Sequence, residues 1–166
     1  MSGLAAALIR ALVASDATLA AAESLTGGLV TAELVGVPGA SAVVRAGIVA
    51  YATPIKASLL GVDPALLHQH GAVHPDVALQ MAIGVRRAAA IDGRPATWGV
   101  STTGVAGPDP QDGQPVGTVY VGIASAQAAA AFGLQLVGDR SAIRTATVSE
   151  LLMRLHRAVT GVEYGE

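Results

Sequence analysis

The stretch Ala20-Ala21-Ala22-Glu23-Ser24-Leu25-Thr26-Gly27-Gly28-Leu29 joins a run of small apolar residues to two hydroxyl side chains and a pair of glycines. An unbroken apolar run favours a buried strand, and the glycines suit a tight turn into a helix. Amides at a helix start are unpaired, and the helix dipole adds about half a positive charge there. The stretch therefore predicts a junction that holds a phosphate or a developing oxyanion, with Ser24 at its edge. The alternative is that Ser24 or Thr26 only caps the helix.

Apolar periodicity predicts helices and strands in alternation on both sides of this junction. We expect a helix over 3–14, strands over 17–22 and 43–50, helices over 29–34 and from Pro54, turns with one short helix over 61–75, a helix over 75–91, a strand over 97–102, a hairpin over 116–124 and 129–137, and a last helix capped by Asp139. This order predicts an α/β fold: a single three-layer α/β/α domain over 1–166, with a mixed, mainly parallel sheet and a C-terminal hairpin followed by a helix.

The composition limits the classes of function. Hydrophobic residues make up 52% of the 166 residues, but charged residues, prolines and glycines interrupt every apolar run, which favours a soluble protein without membrane contact. A formal net charge of −2 and few aromatic residues argue against nucleic acid as a partner. The chain has no cysteine and no recognisable export signal, so we expect a cytoplasmic location and no thiolate chemistry. From the apolar surface we expect a homo-oligomer.

Lys56 is the only lysine in a chain that otherwise uses arginine for its basic side chains. Arginine keeps its proton at physiological pH, whereas a desolvated lysine can act as a base. Ligands of α/β folds bind at the carboxyl ends of parallel strands, where Ser24, Tyr51 and Thr103 are all expected. Lys56 paired with Ser24 would make a nucleophile for an amide or ester carbonyl. An isolated surface lysine is the alternative.

Other polar clusters leave alternatives open. His68, His70 and His74 resemble a metal-ligand set by count, but they are spread over a turn-rich segment without a companion carboxylate, so we expect no metal. Asp109 and Asp112 lie in a glycine- and proline-rich loop, where they either bind a sugar hydroxyl or a cation, or stabilise turns.

Seven segments together resemble the CinA C-terminal domain family, in the family's order and over nearly the whole chain. They are AAESLTGG at 21–28, RAGIVAYATPIKASLLGV at 45–62, HGAV at 70–73, MAIG at 81–84, STTGVAGPDP at 101–110, PVGTVYVGIA at 115–124 and GDRSAIR at 138–144.

The resemblance implies a nicotinamide-nucleotide amidase, which converts nicotinamide mononucleotide to nicotinic acid mononucleotide and ammonia in pyridine-nucleotide recycling, without a cofactor or a metal. By position, Ser24 would be the nucleophile, Lys56 its base and Tyr51 a further catalytic residue. The sequence leaves open whether Ser24 forms an acyl-enzyme or Lys56 activates a water molecule for direct attack. The residues implied to bind the nucleotide substrate are Glu23, Thr26, Gly27, Gly28, Thr103, Gly104, Arg140 and Arg144. The oligomer is expected to be a dimer or a trimer.

The chain departs from the family pattern at two positions. His74 stands where relatives commonly have serine, and Gln80 stands where they commonly have glutamate. Full-length relatives also carry a larger N-terminal domain, whose pyrophosphatase activity is therefore not expected of this chain. Two other hypotheses remain: a catalytically silent nucleotide-binding module, and a hydrolase that uses a metal held by the histidines.

Overall fold

The computed structural model describes residues 2–162 of the predicted 1–166 domain, and these residues form six α-helices and five strands. The elements in chain order are α1 (Ser2–Ala14), β1 (Leu19–Glu23), α2 (Leu29–Val35), a short 3-10 helix (Ala40–Ala42), β2 (Val44–Val49), α3 (Thr53–Leu60), α4 (Pro64–His70), α5 (Pro75–Ala88), β3 (Trp98–Gly104), β4 (Thr118–Ala124), β5 (Ala129–Gln135) and α6 (Arg140–Thr160). The predicted elements are all present, with ends that differ by a few residues.

The strands form one mixed sheet in the order β2-β1-β3-β4-β5. Strand β1 pairs in parallel with β2 on one side and with β3 on the other, so the carboxyl ends of these three strands lie at the same edge. Strand β4 is antiparallel to both β3 and β5, as expected for the C-terminal hairpin. The β3 pairing with β4 continues to Gly104, two residues beyond the predicted strand end at Thr102.

Helices cover both faces of the sheet and make a three-layer α/β/α fold. On one face, α1, α2 and α6 pack apolar side chains such as Leu8, Leu34 and Leu151 against the sheet. On the other face, α3, α4 and α5 do so with side chains such as Leu60 and Met81. Two hydrophobic cores therefore hold the sheet between them.

Strand β1 contributes to both cores, which explains its small apolar residues. Leu19 and Ala21 face one core, Ala20 and Ala22 face the other, and all five residues of the strand are buried. The N-terminal end of α2 and the loops after β1, β2 and β3 are thereby fixed at one edge of the sheet. Among residues 2–162, no helix combines the length and apolar character needed to cross a bilayer.

Candidate active site

The carboxyl ends of β1, β2 and β3 enclose a small cavity of about 130 Å³. Ser24 follows β1 directly, Tyr51 lies two residues beyond β2, and Thr103 lies near the end of β3. The cavity is lined by Ser24, Leu25, Tyr51, Lys56, Ala72, Val73, Thr103, Gly104, Val105, Ala106, Gly107, Asp109, Gln111 and Arg140. The prediction that Ser24, Tyr51 and Thr103 lie close together is therefore confirmed.

Among the residues whose burial the structure describes, Lys56 is the largest fully buried side chain, with only 1% of its surface exposed. Its Nζ donates a hydrogen bond to Ser24 Oγ at 3.1 Å, and further bonds to the carbonyl oxygens of Ala50 at 2.8 Å and Tyr51 at 3.1 Å. Helix α3 begins with Pro54 in its first turn and places Lys56 on its buried side. The interpretation of Lys56 as an isolated surface lysine is wrong.

Burial changes the acidity of this lysine. Removal from water lowers the pKa of Lys56 from its ordinary 10.5 to about 8, and the negative charge of Asp112 acts in the opposite direction. A substantial fraction of Lys56 is therefore neutral at mildly alkaline pH. In the neutral amine, two N–H groups remain for the two carbonyls while the lone pair is free to accept the proton of Ser24.

Glu23 occupies the helix start where the sequence predicted an open anion site. Its carboxylate accepts hydrogen bonds from the backbone N–H groups of Gly28 at 2.9 Å, Val30 at 3.0 Å and Thr31 at 2.8 Å. It also accepts the Thr31 hydroxyl at 2.6 Å. The carboxylate thus takes the place of an external anion at the positive end of α2. Glu23 acts as the cap of this helix.

The glycine pair forms the turn into α2 and does not form the predicted site for a phosphate or a developing oxyanion. Gly27 and Gly28 have positive φ of 59° and 100°, which glycine adopts without strain. The Gly27 N–H donates to Ser24 O at 3.1 Å, and the Gly28 N–H is held by Glu23. Since neither amide is free, the prediction that this pair binds a phosphate or a developing oxyanion of a substrate is wrong.

The amide of Leu25 is a candidate oxyanion donor. Leu25 follows the serine directly and lines the cavity, and its backbone N–H makes no hydrogen bond within residues 2–162. A free amide next to a nucleophile is the usual source of one oxyanion-hole donor in serine hydrolases.

The two arginines at the start of α6 have different positions. Arg140 lines the cavity, donating from Nη1 to Gly107 O at 2.7 Å and from Nη2 to the Tyr51 hydroxyl at 3.0 Å. Arg144 lies outside the cavity wall and donates to the carbonyl oxygens of Leu25 and Thr26, both at 2.9 Å. Arg140 is thus able to reach a ligand, whereas Arg144 fixes the turn that follows Ser24.

Threonine hydroxyls connect the strand ends. Thr26 Oγ1 is hydrogen-bonded to Thr102 Oγ1 at 2.8 Å, outside the cavity wall. Thr103 Oγ1 donates to Ala72 O at 2.7 Å and lines the cavity with Gly104.

The structure divides the residues predicted for the site into two sets. The residues that line the cavity are Ser24, Lys56, Tyr51, Thr103, Gly104 and Arg140. The residues that lie outside its lining are Glu23, Thr26, Gly27, Gly28 and Arg144.

The sequence did not single out several wall residues as part of the site. Ala72 and Val73 come from the connection between α4 and α5, and Gly107 and Gln111 come from the loop after β3. The family resemblance includes the segments of Ala72, Val73 and Gly107 but not Gln111. The position of all four residues beside Ser24 depends on contacts between distant parts of the chain.

The histidines do not form a metal site within residues 2–162, where no group of three or more His, Cys, Asp or Glu side chains could hold an ion. The His70 and His74 rings stack with centroids 4.6 Å apart. His74 Nδ1 caps α5 by accepting the Asp76 N–H at 3.2 Å. His74 therefore has a structural partner.

A larger groove of about 600 Å³ lies at the other end of the sheet, between the amino end of β3 and the C-terminal half of α6. Its lining includes Trp98, Phe132 and Met153. Its described lining residues include no pair of a nucleophile and a base, so the smaller polar cavity is the candidate active site.

Comparison with known proteins identifies the family. The sequence model described as the CinA C-terminal domain matches residues 1–159. The chain belongs to the CinA C-terminal domain family. A CinA-like protein of Frankia casuarinae is 48% identical over 155 residues, which are 93% of this chain and 35% of the relative. A CinA-like protein of Salinibacter ruber is 46% identical over 95% of this chain and 37% of the relative. The chain thus spans little more than a third of these relatives.

Solved structures of the CinA superfamily share the whole fold. A CinA superfamily protein of Klebsiella pneumoniae superposes with a TM-score of 0.90 at 26% identity, covering 97% of this chain and 98% of that protein. A competence/damage-inducible protein of Agrobacterium tumefaciens gives a TM-score of 0.87 at 33% identity, covering 95% of this chain and 94% of that protein. The open α/β fold is therefore that of the CinA family.

Proposed function

We propose that this CinA domain is an amidohydrolase that converts nicotinamide mononucleotide to nicotinic acid mononucleotide and ammonia, in the recycling of pyridine nucleotides. The main supporting observation is the 3.1 Å contact between Lys56 Nζ and Ser24 Oγ inside a polar cavity. A buried lysine beside a serine is an activated nucleophile suited to acyl transfer. The identity of the substrate is inferred from the family resemblance described above.

The first half of the reaction uses the neutral form of Lys56. Its amine takes the Ser24 hydroxyl proton while Oγ attacks the carboxamide carbon of the substrate. The resulting oxyanion accepts a hydrogen bond from the Leu25 N–H. The Lys56 ammonium then returns its proton to the amide nitrogen, the carbon–nitrogen bond breaks, and ammonia leaves an ester on Ser24.

The second half repeats these steps with water. Neutral Lys56 removes a proton from water, which attacks the ester carbon, and the ammonium returns the proton to Ser24 Oγ. The products are the free serine and the carboxylic acid. Both halves require Lys56 to exchange a proton, and a pKa of about 8 suits such exchange near neutral pH.

Arg140 is the proposed contact for the nucleotide phosphate. Its guanidinium lies in the cavity wall and is oriented by Gly107 O and the Tyr51 hydroxyl. Guanidinium groups bind phosphate through paired, charge-assisted hydrogen bonds. Tyr51 remains a proposed catalytic residue. Its hydroxyl accepts a hydrogen bond from Arg140, and its backbone carbonyl accepts one from Lys56.

The test is incubation of the protein with nicotinamide mononucleotide, read by ammonia release and by chromatography of the nucleotide. The proposal predicts stoichiometric ammonia and nicotinic acid mononucleotide, and a loss of both with Ser24→Ala. Ser58→Ala is the matched control, because Ser58 is exposed on α3. Tight nucleotide binding without product would favour the silent binding module. Loss of activity with a strong chelator would favour the metal-dependent hydrolase.

We also propose that the domain forms a homo-oligomer. Strand β2 is an edge of the sheet, and large apolar side chains are exposed on it and on the neighbouring helices α2 and α3. They include Val35, Val49 and Leu59, which expose 56%, 47% and 55% of their surface. Light scattering coupled to size-exclusion chromatography distinguishes a monomer from the expected dimer or trimer.

A further inference from the structure

The loop between β3 and β4 is a closed structure with a tight tip. At its base, the Val105 N–H donates to Thr118 O at 2.9 Å and the Gly117 N–H to Val105 O at 2.8 Å. At its tip, Gln111 and Gln114 exchange backbone hydrogen bonds of 3.1 and 2.8 Å. The two residues between them, Asp112 and Gly113, both have positive φ, of 51° and 75°. An Asp-Gly pair in this conformation is typical of a type I′ turn.

The tip is attached to the wall of the cavity through Asp112. Asp112 Oδ2 accepts the Ala72 N–H at 3.2 Å. A Cβ added at Gly71 would lie 2.7 Å from Asp112, so the close approach requires glycine there. Ala72 lines the cavity together with Lys56, and its carbonyl accepts the Thr103 hydroxyl at 2.7 Å.

This attachment has a consequence for the composition of the cavity wall. The loop brings Asp109 and Gln111 into the lining opposite residues from the strand ends. Among the described residues, the tip of the loop at 111–114 is joined to the rest of the domain by the hydrogen bond between Asp112 and Ala72. Asp112 therefore holds the tip of the loop at the site, while Arg140 holds the loop nearer its base through Gly107 O.

Asp112 also supplies negative charge near the buried lysine. The titratable and charged groups that line the cavity with Lys56 are Tyr51 after β2, Arg140 on α6 and Asp109 on the loop. Asp112 lies behind the wall residue Ala72, and the Glu23 carboxylate next to Ser24 is held by the amides of α2. Of these, Asp112 is the charge that opposes the effect of burial on the pKa of Lys56. Asp112 is exposed, so water screens part of its effect.

We propose that Asp112 is a positioning residue of the active site, which holds the β3–β4 loop against the cavity and places a carboxylate behind the wall that Ala72 forms beside Lys56. The assignment to catalysis rests on the proposed amidase function. A general base that must also return its proton works best when its pKa lies near the operating pH. Without Asp112, Lys56 would accept the Ser24 proton less strongly and keep it for a shorter time.

The test uses the single lysine of the chain. Protein labelled with ¹³C-lysine gives one side-chain Cε signal, from Lys56, and its titration measures the pKa of Lys56 without any substrate. Asp112→Asn removes the charge, keeps an oxygen that can accept the Ala72 N–H, and suits the type I′ turn. Asp92→Asn is the matched control, because Asp92-Gly93 forms an equivalent turn with φ of 52° and 73° between Ile91 and Arg94.

We expect Asp112→Asn to lower the pKa of Lys56 below the wild-type value, and Asp92→Asn to leave it unchanged. Equal pKa values in wild type and Asp112→Asn would overturn the electrostatic part of the proposal. Because this readout needs no turnover, it stands whether or not nicotinamide mononucleotide is the substrate.

The positioning part is tested by kinetics. Asp112→Ala removes the acceptor as well as the charge, and is expected to raise the KM for nicotinamide mononucleotide about fivefold over that of Asp112→Asn, as for one lost neutral hydrogen bond. Equal KM values in the two variants would contradict a positioning role. Circular dichroism verifies that both variants are folded.

Discussion

Lys56 Nζ contacts Ser24 Oγ at 3.1 Å while it donates to the carbonyl oxygens of Ala50 and Tyr51. The three contacts match the three protons of an ammonium group. When Lys56 loses one proton, the carbonyls retain the other two and the free lone pair meets the serine hydroxyl. The carbonyls therefore orient the base in both of its protonation states.

Activity is expected to rise with pH through about 8, because burial lowers the pKa of Lys56 to about that value. Below this pH the ammonium cannot accept the Ser24 proton, and above it the amine can. The profile of kcat/KM for nicotinamide mononucleotide between pH 6 and 10 measures this directly. A rate that stays constant across pH 8 would exclude Lys56 as the base.

Folding stability is expected to rise between pH 8 and 10.5 relative to a Lys56→Met variant. The pKa of Lys56 is lower in the folded protein than in the unfolded chain, so in this range the unfolded chain binds more protons and alkali favours the folded state. The full difference is about 3 kcal/mol, since one pKa unit corresponds to about 1.4 kcal/mol. Urea unfolding at pH 7 and pH 10 provides the measurement. Parallel changes in both proteins would show that the lysine is not desolvated.

Arg140 and Arg144 are expected to respond differently to substitution by glutamine. Arg140→Gln should raise the KM for the nucleotide at least tenfold, the equivalent of about 1.4 kcal/mol of lost phosphate binding. Arg144→Gln should lower the free energy of unfolding by about 1–3 kcal/mol, because its bonds to Leu25 and Thr26 are lost. KM values and urea unfolding of both variants form one experiment. The reverse pattern would assign the phosphate to Arg144.

Glu23→Ala is expected to destabilise the fold by about 3–5 kcal/mol, since it leaves the amides of Gly28, Val30 and Thr31 without their acceptor. Glu150→Ala is the control: it breaks a part-exposed ion pair with Arg154 four residues along α6 and should cost about 0.5 kcal/mol or less. Similar losses in the two variants would contradict the capping role of Glu23.

The helix start after β1 shows the limit of local sequence reasoning. Free amides and positive dipole at that position predicted an anion site, and an anion is indeed bound there, but it is the Glu23 side chain of the chain itself. A glutamate five residues before the first capped amide was the available signal. The Glu23 side chain reaches these amides only because Gly27 and Gly28 turn the chain with positive φ. The sequence permits this conformation of the glycines but does not require it.

Longer-range features were predicted less well than the order of elements. Apolar periodicity located β1, β2 and β3, and the rule for parallel strands then placed Ser24, Tyr51 and Thr103 together. The extension of β3 to Gly104 depends on pairing with β4, and the contact of Asp112 with Ala72 joins residues 40 positions apart. Neither is encoded in a local pattern.

Mass spectrometry of the protein quenched during turnover shows whether Ser24 forms an acyl-enzyme with the help of Lys56. In a reaction with nicotinamide mononucleotide, we expect an adduct on Ser24 with the mass of the substrate less ammonia, and no such adduct in Ser24→Ala. Full turnover by Ser24→Ala, with no adduct in the wild-type protein, would contradict the serine–lysine mechanism.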